Sequence, residues 1–228
     1  MKIESLKYPF SWEKRRPIIQ DRVLFIPPYY QEHHLWPLPN FSDPLLFGNS
    51  NKVFVEYCSG NGEWILAKAQ KHPEINWIAV EKQFERAQKI WTKLYRGALE
   101  NLFIVLGAAE TFNAHYLKEN SIDEMFINFP DPWPKRAHAK HRLVQSPFIG
   151  TCSKRLKQSG KITLVTDDAI YSAQMTRVLQ KDPELCPLTP LPHYVTELVG
   201  YGDSFFEKLF RTQGCAIRYH QYQKIASS

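Results

Sequence analysis

The chain has 228 residues, of which 43 % are hydrophobic and 23 % are charged, as in an ordinary soluble globular protein. No stretch approaches the roughly 18 uncharged apolar residues of a membrane-spanning helix, and the first residues lack the apolar core of a signal peptide. We therefore expect a cytoplasmic protein with one buried domain and modest extensions. The formal charge of +6 favours a polyanionic partner.

The cysteines indicate neither a disulfide framework nor a metal site. Cys58, Cys152, Cys186 and Cys215 lie far apart, and no Cys-x-x-Cys pair is present. We expect reduced thiols and no bound metal. Monomeric and homodimeric forms are both compatible with the sequence.

Residues 1–50 have the composition of an irregular N-terminal arm. They contain seven prolines interleaved with aromatic residues, and three consecutive basic residues, Lys14, Arg15 and Arg16. Proline at this density disfavours long helices and central strands. Either the arm only wraps the following domain, residues 51–228, and buries its aromatic side chains, or its basic residues also contact RNA phosphate.

From about residue 52 the pattern alternates between strands and helices. The predicted strands are 53–57, 75–80, 102–106, 122–129 and 161–166, and the predicted helices are 63–71, 84–99, 144–157 and 169–180. Alternation of this kind implies parallel strands joined by right-handed crossovers, which is a doubly wound α/β sheet. Near the C terminus, 205–212 and 216–222 resemble two strands of an antiparallel hairpin joined at Gly214.

The ends of the first two predicted strands carry residues suited to a nucleoside ligand. Glu56 and a glycine turn containing Gly60 end the first strand, and Glu81 follows the second. A carboxylate at this spacing can accept both hydroxyls of a ribose, in NAD or in S-adenosylmethionine. The third glycine of the dinucleotide fingerprint is Ile65 here, which argues against a pyrophosphate ligand. A tight turn and a solvated acid would be the purely structural interpretation.

The segment 128–135, Asn-Phe-Pro-Asp-Pro-Trp-Pro-Lys, begins at the end of the fourth predicted strand. Its prolines restrict the backbone, so Asp131 and Trp133 are presented with little conformational freedom. An aromatic ring and a carboxylate can stack on a base and accept its N–H groups. The basic residues of 135–142, including Arg142, form a predicted phosphate-binding stretch beside it.

This segment, with its basic continuation and Arg142-Leu-Val-Gln145, resembles the signature of the bacterial tRNA (guanine-N7-)-methyltransferases. The resemblance extends over about residues 53–210. It implies a Rossmann-like methyltransferase domain that transfers a methyl group from S-adenosylmethionine to a guanosine in the tRNA variable loop (position 46), and therefore tRNA as the partner.

The resemblance also assigns residues where the motifs match. It implies that Glu56, Gly60, Glu81 and position 108 bind the cofactor, and that Asp131 is catalytic and also lies at the cofactor. Substrate contacts are implied for the following residues: Lys135, Asp167, Ser204, Phe205, Phe206 and Glu207.

Two positions depart from the family pattern. Cys58 replaces the first glycine of the cofactor turn, so either a different turn or a tolerated small side chain is expected. Ala108 replaces an aspartate that faces the adenine, so a side-chain hydrogen bond worth on the order of 1 kcal/mol is lost.

Other functions are also compatible with the sequence. Asn128-Phe-Pro-Asp131 has some similarity to the Asn-Pro-Pro-aromatic loop of methyltransferases that act on amino groups of bases. A non-catalytic RNA-binding protein on the same fold is a third interpretation, which the acids Glu56, Glu81 and Asp131 oppose. An NAD-dependent dehydrogenase is a more distant fourth.

Overall fold

The computed structural model describes residues 5–202 and 205–225. The chain forms two compact units, Met1–Leu117 and Lys118–Ser228. Within the described ranges, no helix combines the length and the apolar character that crossing a bilayer requires.

The first unit is a mostly parallel sheet with helices. Its strands are β1 (Ile18–Gln20), β2 (Val23–Phe25), β3 (Lys52–Tyr57), β4 (Ile75–Glu81) and β5 (Leu102–Leu106). Its α-helices are α1 (Glu63–Lys71), α2 (Phe84–Arg96) and α3 (Ala109–His115), and short 3₁₀ helices span Trp12–Lys14 and His33–Leu35. The strand order is β1-β2-β5-β4-β3, and only the β1–β2 pair is antiparallel among these neighbours.

The burial of β4 and β5 follows from their sequences. Both are nearly continuous apolar runs, and every residue of β5 is buried. Continuous apolar runs are typical of parallel strands that are covered on both faces. Helices α1 and α2 pack against these strands, and α2 ends beside Gly97, which follows its amphipathic stretch.

The second unit combines one parallel pair with antiparallel strands. Its strands are β6 (Ile122–Asn128), β7 (Leu156–Thr166), β8 (Leu185–Pro187) and β9 (Arg218–Lys224), in the order β6-β7-β9-β8. Its helices are α4 (Ser146–Arg155), α5 (Ala169–Gln180) and α6 (Phe205–Thr212), with a 3₁₀ helix over Arg136–His141. Strands β6 and β7 are parallel, whereas β9 runs antiparallel to both β7 and β8.

The predicted α/β class is confirmed, including antiparallel strands near the C terminus. The prediction for 205–212 was wrong, however, because Phe205–Thr212 is a helix. Its apolar residues recur at helical spacing: the rings of Phe206 and Phe210, four residues apart, stack at 6.0 Å between centroids. Glu207 and Arg211 also form an ion pair at that spacing. Aromatic residues favour strands, but this periodicity belongs to a helix.

The N-terminal arm is more regular than predicted. Strands β1 and β2 form a hairpin, and β2 lies between β1 and β5. Each strand has only three residues, and Pro17 and Pro27 lie outside them. The prolines therefore remove no donor from the ladder. Val23, Leu24 and Phe25 are all buried.

Candidate functional site

The turn after β3 contains three residues in the left-handed region. Cys58, Gly60 and Gly62 have φ of 62°, 56° and 79°. Cys58 therefore adopts the glycine-like conformation at the position where the family pattern has glycine, at a cost of about 1 kcal/mol. A Cβ added at Gly62 would lie 2.7 Å from the Ile90 side chain, whereas nothing lies within 4 Å of one added at Gly60. The backbone at Gly60 is thus open to a ligand.

Glu81 fixes this turn from the end of β4. Its Oε2 accepts a hydrogen bond from the Gly60 N–H at 2.9 Å, and its Oε1 accepts one from the Gln83 N–H at 2.9 Å. The carboxylate is buried, with a residue exposure of 4 %. Because a carboxylate oxygen has two lone pairs, each oxygen can still accept a hydroxyl.

Glu56 places a second carboxylate at the same edge of this sheet. It is buried near the end of β3, and β3 pairs in parallel with β4, with Tyr57 opposite Val80. Two buried carboxylates beside an open glycine backbone can accept ribose hydroxyls and favour a cationic ligand. These two carboxylates and the glycine backbone therefore fit S-adenosylmethionine, which carries a ribose and a sulfonium.

Ala108 follows the next strand of the same edge. It is exposed and occupies the N-cap position of α3, with no side-chain cap. Strand β5 is tied to the neighbouring strand end, because the Gly107 N–H donates to the Glu81 carbonyl at 3.0 Å. The first unit thus brings together Glu56, Gly60, Glu81 and Ala108 along three adjacent strand ends.

The Asp131 loop, residues 129–134 directly after β6, is constrained at both ends. Phe129 and Trp133 have positive φ of 46° and 43°, a conformation that bulky residues adopt rarely. The Phe129 N–H donates to the Val165 carbonyl at 3.0 Å, and Pro130 is buried. Asp131, in contrast, is exposed. The backbone is therefore held while the carboxylate remains available to a ligand.

Arg142 contacts this loop directly. Its Nε donates to the Pro132 carbonyl at 2.7 Å, and its Nη2 donates to the Trp133 carbonyl at 3.4 Å. Its Nη1 donates to Gln174 Oε1 at 2.6 Å, and its guanidinium lies over the Tyr171 ring at 4.9 Å. These contacts assign Arg142 to holding the loop.

The predicted phosphate-binding stretch is therefore smaller than expected. Arg142 was included in it, but its residue exposure is 6 % and its guanidinium faces the loop. Lys135, His138, Lys140 and His141 are exposed. The sequence of a basic run does not show which of its side chains is buried against the protein.

Two adjacent acids after β7 have different roles. Asp168 is the N-cap of α5, and its Oδ1 accepts from the Tyr171 N–H at 2.6 Å. Asp167 is half-buried, and burial raises its pKa, with a further rise from Asp168; its own backbone and Arg218 act in the opposite direction. Strand β7 is parallel to β6, so Asp167 and the Asp131 loop leave the same edge of the second unit's sheet.

Helix α6 carries the remaining predicted substrate contacts. Phe205 and Phe206 are exposed, at 55 % and 39 %. The Phe129 ring lies 6.0 Å from that of Phe206 and 5.6 Å from that of Phe210, so the helix packs on the Asp131 loop. Ser204 lies outside the described residues.

Glu207 is buried within a hydrogen-bond network. Its Oε1 accepts from the Tyr219 hydroxyl at 2.7 Å and from the Arg211 guanidinium at 3.2 Å. Burial raises the pKa of Tyr219 to about 12, and the Glu207 carboxylate adds to the rise. These side chains fix the orientation of Glu207.

A second hydrogen bond ties the end of β6 to the same region. The Tyr201 hydroxyl donates to Asn128 Oδ1 at 2.6 Å, and the Tyr201 ring lies 5.3 Å from the Tyr219 ring. Sequence reasoning missed Tyr201 and Tyr219, because isolated tyrosines at these separations carry no local pattern.

Comparison with known proteins agrees with this geometry. Residues 50–210 match the model of a family described as "Putative methyltransferase". The chain is 44 % identical to the tRNA (guanine-N(7)-)-methyltransferase of Chlamydia abortus, over 98 % of each protein. It is 43 % identical to the protein of the same name from Chlamydia pneumoniae, over 99 % of each. The chain belongs to the tRNA (guanine-N(7)-)-methyltransferase family.

A solved structure supports the fold of this family member. An rRNA methylase from Streptococcus thermophilus superposes with a TM-score of 0.53 at 15 % identity, over 78 % of this chain and 89 % of that chain. At this identity the likeness concerns the fold alone. It confirms the predicted Rossmann-like methyltransferase fold.

Proposed function

We propose that this enzyme transfers a methyl group from S-adenosylmethionine to N7 of a guanosine in the variable loop of tRNA, in the cytoplasm. The observation that carries the proposal is the 128–135 loop, in which a constrained backbone presents the exposed Asp131. Membership of the tRNA (guanine-N(7)-)-methyltransferase family supports the same reaction.

The cofactor would be held by the strand ends of the first unit. Glu81 and Glu56 would accept its hydroxyls, and the open backbone at Gly60 would allow a close approach. The backbone at Ala108 would meet the adenine edge. When bound, S-adenosylmethionine would supply an electrophilic methyl group on a sulfonium, whose carbon–sulfur bond breaks as the methyl group is transferred, with the neutral thioether as the leaving group. In the proposal Asp131 also lies at the cofactor.

The reaction requires the protein mainly to align guanine N7 with the methyl group. Guanine N7 carries a lone pair and no proton, so no base has to deprotonate it before it attacks the methyl carbon. Asp131 would accept guanine N–H groups and so orient N7. Its negative charge would also offset the positive charge that develops on the ring as the N7–carbon bond forms.

Other residues would bind the rest of the nucleotide. Lys135, beside the Asp131 loop, would contact phosphate. Asp167 and Glu207 would hold the base or the ribose, with Glu207 fixed by Tyr219 and Arg211. Phe205, Phe206 and Ser204 complete the proposed substrate contacts.

Methylation of a base amino group is disfavoured by the position of Asn128. In that alternative, Asn128 would have to face the reacting nitrogen. It is buried instead, and its Oδ1 accepts the hydrogen bond from Tyr201. Asn128 therefore supports the loop.

The proposal is tested with labelled S-adenosylmethionine and bulk tRNA, followed by identification of the modified nucleoside. We expect 7-methylguanosine, which makes the chain cleavable by borohydride and aniline. A product that resists this cleavage would indicate an amino group as the acceptor.

The role of Asp131 is tested with Asp131→Asn and Asp131→Ala. Both should fold and bind the cofactor, and both should lose at least about 100-fold in kcat, the scale for removing one preorganised electrostatic contact. A matched control is Asp21→Asn, at an exposed acid between β1 and β2, which should methylate normally. Near-normal rates for Asp131→Ala would refute the assignment.

A further inference from the structure

The N-terminal arm contains a cavity of about 790 Å³. We call it the arm pocket; its lining includes Phe10, Lys14, Arg15, Arg16, Tyr30 and Trp36. Its walls come from the segment around the 3₁₀ helix Trp12–Lys14 and from the segment that ends with the 3₁₀ helix His33–Leu35. Its volume is in the range of small-molecule sites.

The lining of the arm pocket is cationic. Lys14, Arg15 and Arg16 contribute three consecutive positive charges, and Glu32 contributes one negative charge. Lys14 and Arg16 are exposed, so their charges can reach a ligand without a large desolvation cost. This arrangement selects for an anion.

The same pocket offers aromatic surfaces. The rings of Phe10, Tyr30 and Trp36 belong to its lining, and all three residues are only half-buried. The Arg16 guanidinium lies 4.9 Å from the centroid of the Trp36 ring. A flat ligand group beside Arg16 and Trp36 would contact an aromatic ring and a cation at the same time.

We propose that the arm pocket binds a single-stranded nucleotide of the tRNA, outside the nucleotide that is methylated. A simple anion would make no use of the rings, and a neutral flat ligand would make no use of three cations. A nucleotide unites a flat base with a phosphate, and only an unstacked one can place its base in a pocket. That the RNA is a tRNA rests on the proposed function.

The pocket contributes affinity for tRNA and no chemistry. Its basic residues bind phosphate, and its rings stack on the base without reading a sequence. These two contributions differ in their dependence on salt. Each phosphate contact on a single strand releases counterions and steepens the salt dependence of binding by about 0.7 in the log–log slope, whereas stacking does not.

The test measures binding of an unmodified tRNA transcript at several salt concentrations. Trp36→Leu should weaken binding roughly tenfold with an unchanged salt slope, and Trp36→Phe should restore most of the affinity. The double variant Lys14→Gln/Arg16→Gln should weaken binding and lower the slope by about 0.7 for each phosphate contact that is lost, which is at most about 1.4 for two contacts. A matched control, Lys89→Gln/Arg96→Gln, removes two exposed charges from α2, which lines no part of the pocket; it should change the slope much less.

Measurements of kcat distinguish the arm pocket from the proposed active site. At saturating tRNA, every variant should keep the wild-type kcat and its affinity for S-adenosylmethionine. The proposal is overturned if the pocket variants bind tRNA like the control, or if the two charge-removal variants lower the slope equally. Wild-type protein that fails to bind or methylate tRNA would instead refute the proposed function.

Discussion

Ala108 shows how one side chain affects both a helix and a ligand. It occupies the N-cap of α3, where aspartate would accept an N–H from the first turn. In the proposed cofactor site the same carboxylate would also face the adenine. We predict that Ala108→Asp raises the free energy of unfolding by about 1 kcal/mol. It should also increase the affinity for S-adenosylmethionine by about fivefold, the equivalent of one hydrogen bond.

The two effects of this substitution can be separated. Denaturant unfolding without ligand measures the effect of the cap on the free energy of unfolding, and calorimetry measures the affinity for the cofactor. Ala108→Ser is the matched control, because a hydroxyl can cap the helix but has a shorter reach and no charge. It should stabilise the protein and leave cofactor affinity nearly unchanged. An aspartate variant that is stabilised but binds no more tightly would remove position 108 from the adenine contact.

At the scale of elements, the Asp131 loop depends on Arg142. The guanidinium donates to the carbonyls of Pro132 and Trp133, at the end of the loop where Trp133 has positive φ. We predict that Arg142→Met, which keeps an apolar stem, lowers kcat by about 100-fold, the scale of an ångström-sized misplacement. The affinity for S-adenosylmethionine should change little. Arg142→Lys should recover part of the rate, because one ammonium can replace only some of these bonds.

The control for Arg142 is Arg155, a half-buried arginine of the same unit. Arg155 ends α4, and its Nη1 lies 3.7 Å from Glu119 Oε1. Arg155→Met therefore removes an arginine and its ion pair without affecting the loop. Steady-state kinetics with tRNA, on variants shown to be folded, should give near-normal kcat for Arg155→Met. Equal kcat values for the two methionine variants would show that Arg142 is not needed to hold the loop.

Local patterns explain why some elements were predictable. The turn between β3 and α1, and the acid at the end of β4, follow from glycines, apolar runs and a spacing of 21 residues, Gly60 to Glu81. The prediction of a strand at α6 followed from its aromatic residues, which favour strands, whereas the spacing of its apolar residues is that of a helix. The contacts of Arg142, Tyr201 and Tyr219 depend on tertiary packing, which no local spacing encodes.

At the scale of the molecule, the net charge of +6 indicated a polyanionic partner but not its binding surface. The structure places exposed cations at the arm pocket and along 135–142, and it turns Arg142 away from solvent. A sum of charges could not distinguish these positions, because burial decides which charges a partner can reach.

The stability of the second unit should depend on pH through His220, on β9. Burial is the main cause that lowers the pKa of His220, to about 4, and Arg218 adds to this, while a backbone hydrogen bond involving His193 opposes it. Its ring also lies within hydrogen-bonding distance of the Ser172 hydroxyl, at 3.0 Å. In the unfolded chain the pKa returns to about 6.5. Stability is therefore complete above pH 6.5 and falls as the pH approaches 4, because only the unfolded chain takes up the proton.

Urea unfolding of the wild type and of His220→Gln between pH 7 and pH 4 measures this contribution. Glutamine keeps hydrogen-bonding capacity and does not titrate in this range. The loss for a shift of this size is about 3 kcal/mol. The wild type should therefore lose that much more stability than His220→Gln as the medium is acidified. Carboxylates titrate alike in both proteins, so parallel profiles would mean that His220 accepts a proton in the folded state as readily as in the unfolded one.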